Sequence, residues 1–127
     1  AVLNDGVLMK PYLVDRIQTH DGDVVTKNEP EQAKQLLSTE EAAVLRRYMR
    51  ETVTSGTATA LSTGNYKAGG KTGSAQYKAG SSDSHAWFVG YAVKGEKKLV
   101  VSIVVEGAGT GSAYAVPIAR KIFDQYF

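Results

Sequence analysis

The chain of 127 residues is 43% hydrophobic, 22% charged and 9% aromatic, globular proportions that exclude disorder, collagen and coiled coil and bound it to one domain or part of one. It has no cysteine, which excludes a disulfide framework, a thiolate nucleophile and a cysteine zinc site and leaves only His20 and His85 as imidazole ligands, so metal chemistry is not expected. Fifteen basic and thirteen acidic residues give a net charge of +2, too small and scattered to argue for nucleic acid or an anionic membrane as partner.

The chain opens on Ala1-Val2-Leu3-Asn4-Asp5-Gly6 with no initiator methionine, which reads as the last turn of an apolar helix closed by a polar-glycine stop. A one-turn helix is not stable alone, so the sequence is expected to begin inside a structural element and to be a fragment, the other reading being the frayed N-terminus of a small domain. Tyr12 to Lys27 alternates loosely around His20-Asp21-Gly22, a hairpin signal that predicts two short strands with His20 in the turn as a structural residue. Pro30 to Leu37 is polar and weakly patterned and reads as a connector. Ser38 and Glu41 have capping-box spacing, and Val44, Leu45, Tyr48, Met49, Thr52 and Val53 follow on one face of a helix. The opposite face carries Arg46, Arg47, Arg50 and Glu51 and is expected to be solvated.

Thr54 to Gly70 is rich in small residues and reads as a loop. Three strand-like segments follow: Gly70 to Tyr77, His85 to Val93 and Lys98 to Glu106. The turn Lys94-Gly95-Glu96-Lys97 makes the second and third an antiparallel hairpin. Leu99 to Val105, apolar on both faces, suits a central strand covered above and below, yet the chain supplies a partner on one edge only. This stretch is the longest apolar run, far short of the roughly 20 residues a membrane span needs, and no basic-plus-apolar signal peptide opens the chain, so the segment is expected to be soluble and without an address. Ala113 to Phe127 closes as a helix with Val116, Ala119, Ile122, Phe123 and Tyr126 or Phe127 on one side and Pro117 tolerated near its start. The architecture that follows is α+β, a small antiparallel sheet packed with helices.

The chemistry concentrates in Ala68-Gly69-Gly70-Lys71-Thr72-Gly73-Ser74-Ala75-Gln76. A phosphate-binding loop needs a glycine six residues before its lysine, but position 65 is Asn65, and Gly64 stands one place too early. Such a loop must also enter a helix at once, whereas Gly73 to Lys78 is strand-like, so nucleotide binding is disfavoured. The other reading is a Lys-Thr-Gly strand, whose lysine and hydroxyl point into a cleft while glycine lets a substrate backbone lie close. Trp87 and Phe88 point to opposite faces of one strand, which puts one of them in the core. His85 reads as a strand-end residue, Gly80 to Ser84 as a loop at the cleft rim, and Glu106 to Gly111 as a flexible loop with an incidental glycine spacing.

Gly70-Lys71-Thr72-Gly73-Ser74-Ala75-Gln76, followed by His85-Ala86-Trp87-Phe88-Val89-Gly90-Tyr91-Ala92, resembles the third active-site motif and next strand of the penicillin-binding proteins, above all the high-molecular-weight class B transpeptidases. Asn4 to Tyr12, Val53-Thr54-Ser55-Gly56-Thr57-Ala58, and Val105-Glu106-Gly107 leading to Ala115-Val116-Pro117-Ile118-Ala119 agree in order and spacing. The resemblance implies the penicillin-binding/serine β-lactamase-like fold, with three strands here of a five-stranded family sheet. It implies a serine nucleophile in a Ser-x-x-Lys motif, acylated by the penultimate D-Ala of a peptidoglycan stem peptide or by a β-lactam. Lys71 would then supply positive potential and help proton transfer, Thr72 and Ser74 would donate to the terminal carboxylate, and Gly73 would let the peptide lie close. The backbone amide of Ser74 would be one oxyanion-hole donor, and Gln76 would contact the substrate backbone. No metal or cofactor is implied.

Ser74 stands where the family usually has threonine, and Val93 where it usually has proline. No serine here has a lysine three residues on, and no Ser-x-Asn occurs. The resemblance therefore makes residues 1–127 the C-terminal part of one transpeptidase domain, with nucleophile and middle motif upstream in the same protein, as a second chain or fragment. Its further partners would be stem peptides and β-lactam antibiotics, and its place the extracytoplasmic face of the bacterial membrane, to which the parent protein is anchored. A non-catalytic penicillin-binding-like module, and a β-lactam sensor or β-lactamase relative, are the other readings.

Overall fold

The structure, a computed structural model, describes residues 1–77 and 83–127. The chain forms two compact units, residues 1–45 and 46–127. Residues 80–82 of the expected rim loop lie outside the described residues.

In the first unit, one turn of 3-10 helix at Val2–Asn4 is stopped by Asp5 and Gly6, both at positive φ (49° and 88°), the polar-glycine stop expected there. Strand β1 (Val7–Met9) pairs antiparallel with β4 (Gln32–Gln35), which had read as a connector. Strands β2 (Arg16–Gln18) and β3 (Val24–Lys27) form the expected hairpin. Its turn is tied by the Gly22 N–H donating to the Thr19 carbonyl at 3.1 Å and the Asp23 N–H donating to Thr19 Oγ1 at 3.1 Å. Helix α1 (Thr39–Thr54) begins with the predicted reciprocal cap. The Glu41 N–H donates to Ser38 Oγ at 3.1 Å, and the Ser38 N–H to Glu41 Oε2 at 2.8 Å, which satisfies two amides the first turn would leave unpaired.

The second unit is built on an antiparallel sheet ordered β5 (Lys67–Gln76), β6 (Ser84–Lys94), β7 (Lys97–Val105), followed by helix α2 (Ala115–Tyr126). The two-residue turn between β6 and β7 uses Gly95 at φ 58°, a geometry that matches the twist of the strands it joins. Side chains alternate across the sheet. Ala68 on β5 and Ala86, Phe88 and Ala92 on β6 bury one face beneath Val116, Ala119 and Phe123 of α2, together with Val53, Ala58 and Leu61. Leu99, Val101, Ile103 and Val105 of β7 pack on the same core. Phe88 and Phe123 are fully buried, each worth about 2–3 kcal/mol of transfer free energy. Pro117, third in α2, falls in the first turn, where no intrahelical acceptor exists for an amide hydrogen.

Two burial expectations change. Within the second unit the opposite face of the sheet is open at Trp87, Val89, Val100 and Val104, 38 to 61% exposed, and closed at Tyr91, 8% exposed, so β7 is covered on one side only; among the described residues it pairs with β6 alone, the single-edge pairing expected. On α1 the expected apolar face is buried at Val53 and half-buried at Met49 and Thr52 but exposed at Val44, Leu45 and Tyr48, and of the face expected to be solvated Arg47 and Glu51 are exposed whereas Arg46 and Arg50 are half-buried. Arg50 Nη1 donates to the Ala68 carbonyl at 2.8 Å, and Tyr91 Oη donates to the Arg46 carbonyl at 3.2 Å. Burial raises the Tyr91 phenol above its ordinary value, against the lowering pull of Arg46 and Arg50. Ile122 and Tyr126 of α2 stand outward, whereas Phe127 packs against the core.

A second polar tie fastens α2. Tyr66 Oη donates to Asp124 Oδ1 at 2.8 Å, Arg120 Nε reaches Asp124 Oδ2 at 3.3 Å, and Arg120 Nη1 donates to the Ala60 carbonyl at 2.7 Å. Tyr66 packs edge-on to Phe123, with ring centroids 5.6 Å apart. Burial, then the Asp124 hydrogen bond and charge, push its phenol up to about 12 despite the Arg120 cation.

Candidate active site

The Lys-Thr-Gly residues lie on β5, an edge strand of the sheet, with β6 on one side and no further strand on the other among the described residues. The direction of its backbone follows from two side-chain bonds. Arg50 donates to the Ala68 carbonyl, and Lys71 Nζ donates to the Thr72 carbonyl at 2.6 Å. In an antiparallel ladder, alternate residues turn both N–H and C=O to the same side. Ala68 and Thr72 are in step with Gly70, Ser74 and Gln76, so the Ser74 N–H faces the outer edge.

Side chains follow the same alternation. Lys71 stands opposite Val89 on the open face and is exposed, and its amine curls round the edge to the Thr72 carbonyl. Thr72, opposite Phe88, is on the core-facing side and only 8% exposed. Its Oγ1 lies 2.6 Å from Thr57 Oγ1. Ser74 and Gln76 share the Thr72 face and are exposed. The structure thus brings Lys71, Thr72 and the Ser74 amide to one edge, but sends the Lys71 and Thr72 side chains out from opposite faces.

Gly73 has a structural reason that the motif did not disclose. A Cβ there would lie 3.2 Å from Trp87 Cβ on the neighbouring strand, tighter than ordinary contact, so glycine relieves crowding inside the sheet. Phe88 is buried and Trp87 lies on the open face, as their adjacency required. His85 is a strand-end residue as expected: its Nδ1 accepts the Gly107 N–H at 3.0 Å and its ring stacks on Tyr77, centroids 4.3 Å apart. That bond, with Ser84 Oγ donating to the Gly109 carbonyl at 2.8 Å, ties the glycine-rich segment after β7 to the start of β6. Two residues near the site escaped sequence reasoning. Arg50 was hidden by its charge, and Thr57 by lying 15 positions from its partner.

Residues 1–124 match the family described as the penicillin binding protein transpeptidase domain. The peptidoglycan D,D-transpeptidase PbpA of Mycolicibacterium smegmatis is 31% identical over 129 residues, covering 94% of this chain and 26% of the relative. Among solved structures, the D,D-transpeptidase domain of a peptidoglycan glycosyltransferase from Eggerthella lenta superposes with a TM-score of 0.84 at 31% identity, over 98% of this chain and 29% of that one. The imipenem acyl-enzyme complex of penicillin-binding protein A from M. tuberculosis gives 0.79 at 27% identity, over 98% of this chain and 28% of that one. The fold is that of the penicillin-binding and serine β-lactamase-like proteins. The chain belongs to the penicillin-binding protein transpeptidase domain family, and it spans about a quarter of the length of these relatives.

Proposed function

We propose that residues 1–127 form the C-terminal, Lys-Thr-Gly part of the active site of a serine D,D-transpeptidase that cross-links peptidoglycan stem peptides and is acylated by β-lactams. The observation that carries this reading is the outer edge of β5, where the Lys71 amine and the outward backbone of Thr72 and Ser74 converge. An extended peptide can add to such an edge as a further strand, held by main-chain hydrogen bonds. In taking over the Thr72 carbonyl, it releases the Lys71 amine toward its own terminal carboxylate, a charge-assisted pairing. The hydroxyls of Thr72 and Ser74 donate to the same carboxylate, the Ser74 N–H donates to the oxygen on which charge develops as the acyl group is attacked, and Gln76 holds the peptide backbone further along. Gly73 keeps this stretch flat enough for the added strand to approach.

The attacking serine, its activating lysine and the Ser-x-Asn motif come from the upstream part of the same protein, since no residue here fits those roles. Acyl transfer to a serine hydroxyl needs only acid–base groups and an oxyanion site, so the reaction calls for no metal or cofactor. Stem peptides place the site on the extracytoplasmic face of the membrane. Among the described residues no helix is long and apolar enough to cross a membrane.

The test is labelling with a fluorescent penicillin. The 127-residue chain alone stays unlabelled, and the protein that joins it to its upstream segment becomes labelled. Stoichiometric labelling of the chain alone would overturn the assignment of the nucleophile upstream.

A further inference from the structure

We propose that Thr57 is a positioning residue that sets the direction of the Thr72 hydroxyl proton, an inference that rests on the carboxylate-binding role proposed for Thr72. The two hydroxyl oxygens are 2.6 Å apart, and in the protein without substrate either can be the donor. A bound carboxylate removes that freedom. It offers only acceptor lone pairs, and Thr72 has one proton to give, so the Thr57–Thr72 bond survives only with Thr57 as donor. Thr57 then supplies its proton to a Thr72 lone pair and leaves the Thr72 proton aimed at the ligand, and the two bonds in series polarise each other.

The backbone around Thr57 fixes this aim. After α1 the chain folds back so that the Ala58 N–H donates to the Thr52 carbonyl at 2.9 Å. The fold-back passes so close to the helix that a Cβ at Gly56 would lie 2.8 Å from Thr52 Cα, a position open to glycine alone. Ala58 is fully buried in the core beside Val53. Thr57 is thus held between a backbone contact on one side and a core anchor on the other, and its β-branched side chain has few rotamers to choose from.

The experiment uses the full-length protein and compares acylation by a penicillin, whose carboxylate takes the place of the peptide's, with acylation by its methyl ester. Thr57→Val keeps the shape and removes the donor; Thr57→Ala removes bulk as well; Thr57→Ser keeps the hydroxyl. With the free acid, Thr57→Val and Thr57→Ala lower the second-order acylation rate by about five- to tenfold, mainly through weaker binding, the loss expected for one hydrogen bond acting through another. Thr57→Ser stays within about twofold of the parent, because the donor is retained on a less restrained side chain. With the ester, parent and all variants react alike. An equal loss with acid and ester, no loss in Thr57→Val, or a serine variant as slow as the valine variant overturns the proposal. If the parent protein itself is not acylated by the free acid, the transpeptidase reading falls and the role of Thr57 with it, an outcome distinct from a reactive parent indifferent to position 57.

Discussion

Replacing Tyr66 by phenylalanine removes a single oxygen from the tie between α2 and the residue that precedes β5 while leaving the ring against Phe123. The lost bond, 2.8 Å to a carboxylate, belongs to the charge-assisted class worth about 1.5–3 kcal/mol. Asp124 keeps Arg120 at 3.3 Å and is not orphaned, which places the expected loss near 1–2 kcal/mol. In urea unfolding read by the single tryptophan, Trp87, this moves the midpoint down by roughly 1 M with the slope unchanged. The same substitution carries a pH signature. The folded phenol is raised to about 12 from its ordinary 10.0, so the folded state binds the proton more tightly than the unfolded one. Its stabilising contribution is full below pH 10 and is lost as pH rises through 12. Two units bound that loss at roughly 3 kcal/mol. Tyr91 is raised as well, so the difference between parent and Tyr66→Phe, not the parent curve alone, reports on Tyr66. The gap between the two proteins is constant from neutral pH to about pH 10 and closes as pH climbs toward 12. A gap that persists unchanged across that window refutes the reasoning.

Lys71 is exposed and, among the described residues, bonds to the carbonyl of its own neighbour, so Lys71→Ala in the full-length protein changes stability by no more than about 0.5 kcal/mol. Acylation by penicillin slows by roughly a hundredfold or more, the scale of a lost proton-transfer or charge-pairing group; equal rates in variant and parent would remove Lys71 from the mechanism. Ser38→Ala breaks the hydroxyl half of the α1 cap and costs about 1 kcal/mol, whereas Ser38→Asp, which can still accept from the Glu41 amide, retains most of it. Denaturant midpoints separate these cases, and equal losses in alanine and aspartate variants would show that the cap contributes nothing.

Features written in a few adjacent residues were legible in the sequence. The Ser38–Glu41 cap, the turns at Gly22 and Gly95, and the order of β5, β6 and β7 each rest on a local rule, and each is present. Strand β4 was missed because Gln32, Ala33, Lys34 and Gln35 are all exposed, and a strand with no buried face has no alternation to display. Two arginines of α1 were misassigned for a related reason. Arg46 and Arg50 look like surface by composition, yet a long guanidinium stem can lie over a sheet and spend its charge on a backbone carbonyl, as Arg50 does on Ala68.

The site separates two kinds of information. Residue identity in the Lys-Thr-Gly motif was enough to name the family, because the motif and its neighbouring segments recur in register. Geometry was not carried by identity. Lys71 and Thr72 are adjacent in a strand and must leave by opposite faces, so they can serve one ligand only at an edge, where the lysine can wrap round. Which edge is free depends on the pairing of β5 with β6, a long-range fact that no local pattern in residues 68–76 contains. The same holds for Thr57. Its hydroxyl meets Thr72 because Gly56 allows the chain to fold back on Thr52 and because Ala58 is drawn into the core, and neither condition is visible until the sheet and helix have packed. A side chain on an edge strand therefore takes its chemical direction from residues distant in the sequence, and the Thr57 substitutions test that dependence where a change in the motif itself would only remove a ligand contact.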